Sequence, residues 1–354
     1  MAEAELHDPR RRGLLQALND AIPALETLRP TAWACLWLCD IDKLVDFLAI
    51  AQMSPTVAVA FLNETEITVR IVPTWTQRKR PASTASTPQN PSTPQNPSTP
   101  QNPSTPLQQR PSTQGSRGQK RNSSGQLVST RNKAQRELCH QRDQRKCILT
   151  KSGEPNEVAH IYPFSMRYED NTIRQHGPSF WDTLRVFWSK ERVDAWYNAI
   201  FPLGTEVCQN LICLAPHAHA YWERAYFALK PIKISDDKKR LDIQFFWLLL
   251  NPYIPEVNIL QVPSLLADLD QGPNLVKLFD CETDIKIHSG CEISLGTDDP
   301  VSRPLPDFKL LEMQWFLHRV TAMSGAAEPQ DDFHDNDDNS DDDDSLTMSF
   351  REND

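Results

Sequence analysis

The chain has 354 residues, a formal net charge of −10 and a hydrophobic fraction of 39%, below the ~45–50% of an ordinary globular protein. Both departures are local: residues 328–354 hold twelve acids against one arginine, which leaves residues 1–327 at +1. A body so near neutral argues against a broad basic surface for coating nucleic acid, and a prior of one domain per ~150 residues allows one or two folded units.

Residues 1–75 read as a small, mostly helical region. Leu14, Leu15, Leu18, Ile22 and Leu25 recur at helical spacing, with Pro23 as a break. Asp40 to Met53 repeats the pattern through Ile41, Leu44, Val45, Phe47 and Leu48, and the alternation of Ile67, Val69 and Ile71 predicts a strand within 57–73. Met1–Arg12 is charged and lacks the apolar stretch of a secretory signal. The run Thr31–Ala51 carries Asp40, Asp42, Lys43 and Asp46, so no membrane span is expected. The eight cysteines stand singly in apolar runs such as Ile212-Cys213-Leu214, with no C-x-x-C pair. That pattern predicts buried, reduced thiols in an intracellular protein and argues against a zinc ribbon.

Residues 76–134 read as a disordered linker. The hexapeptide Pro-Ser-Thr-Pro-Gln-Asn starts at Pro91 and Pro97 and recurs partially from Pro103. It has nothing apolar to bury against the entropy of ordering, so it should act as an extended spacer. Basic residues flank it (Arg78–Arg80 before, Arg110 to Arg136 after), a pattern that suits phosphate contacts or nuclear import and slightly favours a nuclear over a cytoplasmic location. The folded body is expected over 135–327 and an acidic disordered tail over 328–354. Within the body, Arg136–Arg145 should be helical, and Cys147–Thr150 with Glu157–Ile161 should form a hairpin. Phe180–Ala199 reads as a helix whose Trp181, Phe187, Trp188 and Trp196 are core before they are a base-stacking platform. Leu241–Leu250 is strongly apolar, Asp284–Leu295 alternates like a strand, and Asp307–Met323 is an amphipathic helix.

One constellation in the body proposes a chemistry. Phosphodiester hydrolysis needs a base to activate water, a divalent cation to neutralise developing charge, and a group that orients the base. His160 closes a short apolar strand, Asn210 follows about fifty residues later, and His219 comes nine residues after that. A histidine with an ordinary pKa of ~6.5 is suited to be the base. Pro216 fits the first turn of a helix running through Trp222 and Arg224, and His219 on that helix should face back to the hairpin, so that both histidines converge on one groove. Arg142, Arg145, Lys146, Arg167 and Arg224 are candidates for phosphate contacts.

These segments resemble the HNH endonuclease family, in its fungal type. Arg142-Asp143, Cys147–Thr150 and Ala159–Phe164 are similar to the first half of its domain; Phe180–Trp188 resembles its insert. Asn210–Leu214, His219–Trp222 and Phe227–Pro231 are similar to its second half, and the likeness extends to Trp315. The resemblance implies an α+β fold built on a ββα-metal motif, with His160 as general base, Asn210 orienting it and His219 binding a divalent metal (Mg, Mn or Zn). It also implies a nucleic-acid substrate, DNA favoured, and no membrane partner. Where many relatives have a second ligand just before the base, this chain has Ala159; Glu157, two residues earlier, and His217 are the candidate replacements. The alternative is a degenerate HNH domain that binds nucleic acid or protein without cleavage. Oligomeric state is not legible.

Overall fold

The computed structural model describes residues 5–22, 27–64, 66–76, 132–169, 179–201, 203–248, 252–264, 269–270 and 275–325. The disorder expected of the repeat-bearing linker and of the acidic tail falls outside the described residues. Among the described residues the chain is a mixed α+β protein.

The N-terminal part holds helix α1 (Pro9–Ala21), the two-residue strand β1 (Thr27–Leu28), and helices α2 (Pro30–Leu38), α3 (Ile41–Met53), α4 (Pro55–Val59) and α5 (Glu66–Thr76). Asp8 caps α1 by accepting from the Arg10 amide, and proline opens α1, α2 and α4, where its missing N–H costs nothing. Helix α2 is apolar on every side and correspondingly buried. Residues 57–73, expected as a strand, are instead helical, through α4, a π turn at Ala60–Glu64 and α5. The alternation of β-branched residues is overridden by packing: Ile71, Val72 and Trp75, at helical spacing, are all buried.

The body begins with α6 (Lys133–Arg142), followed by β2 (Glu157–His160), α7 (Phe180–Phe187), α8 (Lys190–Ile200), β3 (Leu211–Leu214) and α9 (Pro216–Glu223). It ends with β4 (Phe227–Ile234), β5 (Arg240–Trp247), β6 (Val257–Asn258), β7 (Glu292–Gly296) and α10 (Phe308–Met323). Strands β4, β5 and β7 form an antiparallel sheet, β2 pairs with β3, and β1 pairs with β6. The expected single helix over 180–199 is two helices. Trp188 is extended between them, Ser189 caps the second, and a Ser179–Asp182 capping box opens the first. Cys147–Thr150 is not a strand but a turn closed on itself, with the Cys147 amide donating to Ser152 O and the Lys151 amide to Cys147 O. Of the alternating run 284–295, only its last residues enter a strand, β7.

Helix α10 is the axis of the packing. It is capped by Asp307, is buried over almost its whole length, and lies against β4, α2, α8 and α5. The N-terminal helices and the body thus share one hydrophobic core. Buried tryptophans cross-link it through their indole N–H groups: Trp37 donates to Ile259 O at 3.0 Å and Trp188 to Leu38 O at 3.1 Å. Arg319 of α10 is fully buried, stacks 3.9 Å from the Trp315 ring centroid and pairs with Glu5. The Trp181, Phe187, Trp188 and Trp196 cluster is likewise fully buried, as core and not as an exposed stacking surface. All eight cysteines are free, six of them buried; Cys281 is exposed and Cys291 half-buried, against the expectation that all would be interior. No helix of the described residues is long and apolar enough to cross a membrane.

His318 on α10 gives this core a pH dependence. Burial pushes its imidazole down to about 4, opposed by the bond to Phe227 O. The unfolded chain, with histidine near 6.5, then binds more protons than the native state between these values, so stability falls as pH drops through that window. Its contribution should cost about 2 kcal/mol between pH 7 and pH 5. Urea denaturation at both pH values should show that loss in the wild type and a smaller one in His318→Gln; equal losses would remove His318 as the cause.

Candidate active site

The site is built on a ββα unit of β2, β3 and α9. The two strands pair antiparallel with Glu157 opposite Leu214, Val158 opposite Cys213, Ala159 opposite Ile212 and His160 opposite Leu211. Facing residues of an antiparallel pair project to the same side, and the side alternates along the strand. Val158, His160, Leu211 and Cys213 therefore share one face, which α6 covers, while Glu157, Ala159, Ile212 and Leu214 share the other, which packs into the main core. The partner of β2 is thus not the 147–150 segment but a strand fifty residues away, with α7 and α8 in the intervening insert.

His160 ends β2, and its Nε2 lies 2.6 Å from Glu206 Oε1. Both side chains are mostly but not wholly covered. Glu206 also accepts from the backbone N–H of Asn132, the cap of α6. The His160 ring sits 5.6 Å from that of Phe164, and its carbonyl accepts from Trp222 Nε1 of α9 at 3.1 Å. Two residues on, Asn210 clamps the chain. It is buried, its Oδ1 accepts from the Tyr162 amide at 2.8 Å, and its Nδ2 donates to Tyr162 O at 3.0 Å and Thr205 O at 2.9 Å. The Asn210 carbonyl accepts from Ile161 N at 2.9 Å. Glu206, which fixes the histidine ring, lies one residue past Thr205, so the same clamp aligns both partners.

His219 projects from α9, opened by Pro216. Its Nδ1 is 2.5 Å from Glu157 Oε2 and its Nε2 is 3.5 Å from Glu223 Oε1. Imidazole nitrogen with carboxylate oxygen is a donor set that suits Mg, Mn or Zn. The partial exposure of these side chains leaves room for water and a phosphate to complete a coordination shell. Ala159, on the same ribbon face as Glu157, is buried in the core; the carboxylate that meets His219 therefore comes from two residues earlier. His219 stands one helical turn from Trp222, which holds the His160 carbonyl. On the ribbon, His160 and the Glu157 that meets His219 lie on opposite faces.

The remaining candidates separate. His217 is exposed and packs against Tyr221. Arg142, expected on phosphate, is buried and fully engaged. It donates to Cys208 O, Leu211 O and Pro304 O and pairs with Asp143 at 2.7 Å, so it braces α6 to β3 instead. Arg145 pairs with Glu137 and Glu154, and Lys146 with Glu282, all at the surface. Arg167 stacks on Phe164 and Tyr168, close to His160, and Arg224 caps α9. Glu206 was missed by sequence reasoning; nothing marks it except its place four residues before Asn210.

Replacing Asn210 by Ala would orphan one amide and two carbonyls, each worth about 1–3 kcal/mol when buried unpaired. We expect a loss of roughly 3 kcal/mol or more in urea denaturation, and at least as much for Asn210→Asp at neutral pH, because its buried carboxylate would face the Tyr162 and Thr205 carbonyl oxygens. A loss under 1 kcal/mol, on the same scale, would show the clamp to be dispensable.

Cys147 to Lys230, which include Glu157, His160, Glu206, Asn210 and His219, match the family model described as HNH endonuclease, residues 147–230. No curated protein and no solved structure shows significant similarity to the chain. The chain thus contains, over residues 147–230, a segment of HNH endonuclease type.

Proposed function

We propose that this protein cleaves phosphodiester bonds in nucleic acid, DNA being the first substrate to test, with His160 as general base. The observation that carries the reading is the His160–Glu206 contact at 2.6 Å beside the Asn210 clamp. An ionised carboxylate only accepts hydrogen bonds, so Glu206 holds the ring as its Nε2–H tautomer and leaves the Nδ1 lone pair to take a proton from water. The hydroxide formed attacks phosphorus, the bond to the leaving oxygen breaks, and that oxygen is protonated by solvent. His219 and Glu157 would hold a divalent cation, which when bound supplies neutralisation of charge on the phosphate and the leaving oxygen. Arg167, which stacks on the same Phe164 ring that His160 meets, is a cation for the scissile strand. The basic stretches on either side of the linker repeats favour a nuclear site of action.

A second reading rests on Ala159: with an apolar side chain beside the base, the domain would bind nucleic acid without cutting it.

The test is nicking of supercoiled plasmid in a series of Mg²⁺, Mn²⁺ and Zn²⁺ concentrations. Glu206→Gln should lower kcat by up to about 10⁴, as when the carboxylate that fixes a catalytic histidine's tautomer is replaced by its amide. His219→Ala should raise the metal concentration needed for half-maximal rate. Wild-type behaviour of both variants would remove these roles, and an inactive, folded wild type that still binds DNA would favour the second reading.

A further inference from the structure

The face of the β2–β3 ribbon opposite α9 carries a second group of metal-ligating side chains. Cys139 of α6, Asp143 at its C-terminal cap and Cys213 of β3 place their donor atoms within 4.8 Å of one another. Cys139 Sγ is 3.7 Å from Cys213 Sγ and 3.6 Å from Asp143 Oδ2, and His140 Nδ1 is 3.5 Å from Cys213 Sγ. We propose that Cys139, Asp143 and Cys213 form a structural site for zinc, with the His140 ring, which lies against Cys213, turning in as the fourth ligand.

The distances are the first argument. Zinc binds thiolate at ~2.3 Å, imidazole at ~2.0–2.1 Å and carboxylate at ~2.0–2.2 Å. A tetrahedron with those bonds has edges of roughly 3.8 Å between two sulfurs and about 3.5–3.6 Å between sulfur and oxygen or nitrogen. Cys139–Cys213 at 3.7 Å and Cys139–Asp143 at 3.6 Å have those lengths, and so does the contact from His140 Nδ1 to Cys213 Sγ at 3.5 Å, from which the ring would turn toward the other two donors. The donor set is the second argument, since two soft thiolates with an imidazole select zinc over magnesium or calcium.

Charge is the third. Arg142 lies 3.5 Å from Cys139 Sγ and pairs with Asp143. Two thiolates, one carboxylate, one guanidinium and a dication sum to zero, as a buried cluster requires. Metal entry would displace the two thiol protons to solvent. Four protein donors leave no open position, so the site is structural and separate from the His219–Glu157 pair on the opposite face. It would rivet α6 to β3, and through the α6 cap at Asn132 it would steady Glu206. The absence of a C-x-x-C pair hid it: three donors sit on one helix end, and the fourth comes from a strand about seventy residues away. Cys139, His140 and Asp143 precede the residues matched to the nuclease family.

Cobalt(II) titration of the full-length, chelator-stripped, reduced protein tests the site, because only thiolate ligation gives a sulfur-to-cobalt charge-transfer band. The expected result is a band that saturates at one equivalent, bleaches when zinc is added, disappears in Cys139→Ser and persists in His219→Ala. A wild type without the band overturns the proposal, and so does a band unchanged in Cys139→Ser. Should that variant fail to fold, Asp143→Asn takes its place: it keeps both thiolates but removes one ligand, so zinc should displace cobalt from it at lower occupancy and the band should shift. An Asp143→Asn spectrum and affinity identical to wild type would exclude the tetrahedral set.

Discussion

The geometry of the site depends on one buried amide. Asn210 uses its side-chain oxygen and both N–H groups on the backbone of Tyr162 and Thr205. A buried polar side chain whose hydrogen-bond partners are all backbone groups permits one arrangement of the segments it joins. Three stretches that are distant in sequence meet there: the exit from β2, the end of the helical insert, and the entry to β3. His160 and Glu206 lie on two of them, so their contact is set by the clamp and not by any local propensity. The ribbon itself is only four residue pairs long.

Around the clamp, the two faces of the ribbon have different tasks. The face toward the main core carries Glu157 and packs with α9, whose His219 meets that carboxylate. The face toward α6 carries His160 and the cysteine cluster. A two-stranded ribbon of this length is marginal alone, and it is stable because both faces are covered. Helix α6 is held by Arg142, which reaches β3 and the segment before α10 at once. Helix α9 is held by Trp222, packed on Phe227 and His318. The N-terminal helices matter to the site indirectly: α2 and α5 pack against α10, which in turn carries His318 beneath Trp222.

Much of this was legible in the sequence. Helices α3, α9 and α10 follow from their apolar spacing and caps, and the order His160, Asn210, His219 pointed to the matched segment. The misses have common physical causes. Strand pairing is non-local, so the partner of β2 could not be found by looking for a neighbouring hairpin. Cys147–Thr150 is apolar and short, and nothing local distinguishes a turn there from a strand. Charge alone does not reveal burial, which is why Arg142 looked like a phosphate ligand and is a brace. Glu206 and the cysteine cluster are assembled by tertiary contacts and have no motif of their own. Side-chain alternation also puts His160 and Glu157, the partner of His219, on opposite faces of the ribbon, a consequence of register that appears only once the strands are paired.

The account stands on His160 acting as a base under the control of its neighbours. The most direct measurement is metal-dependent nicking of supercoiled DNA by the full-length protein beside His160→Ala, with folding of both verified by circular dichroism. The account predicts cleavage that requires a divalent cation and vanishes in the variant. Cleavage that persists at the wild-type rate in folded His160→Ala would contradict it.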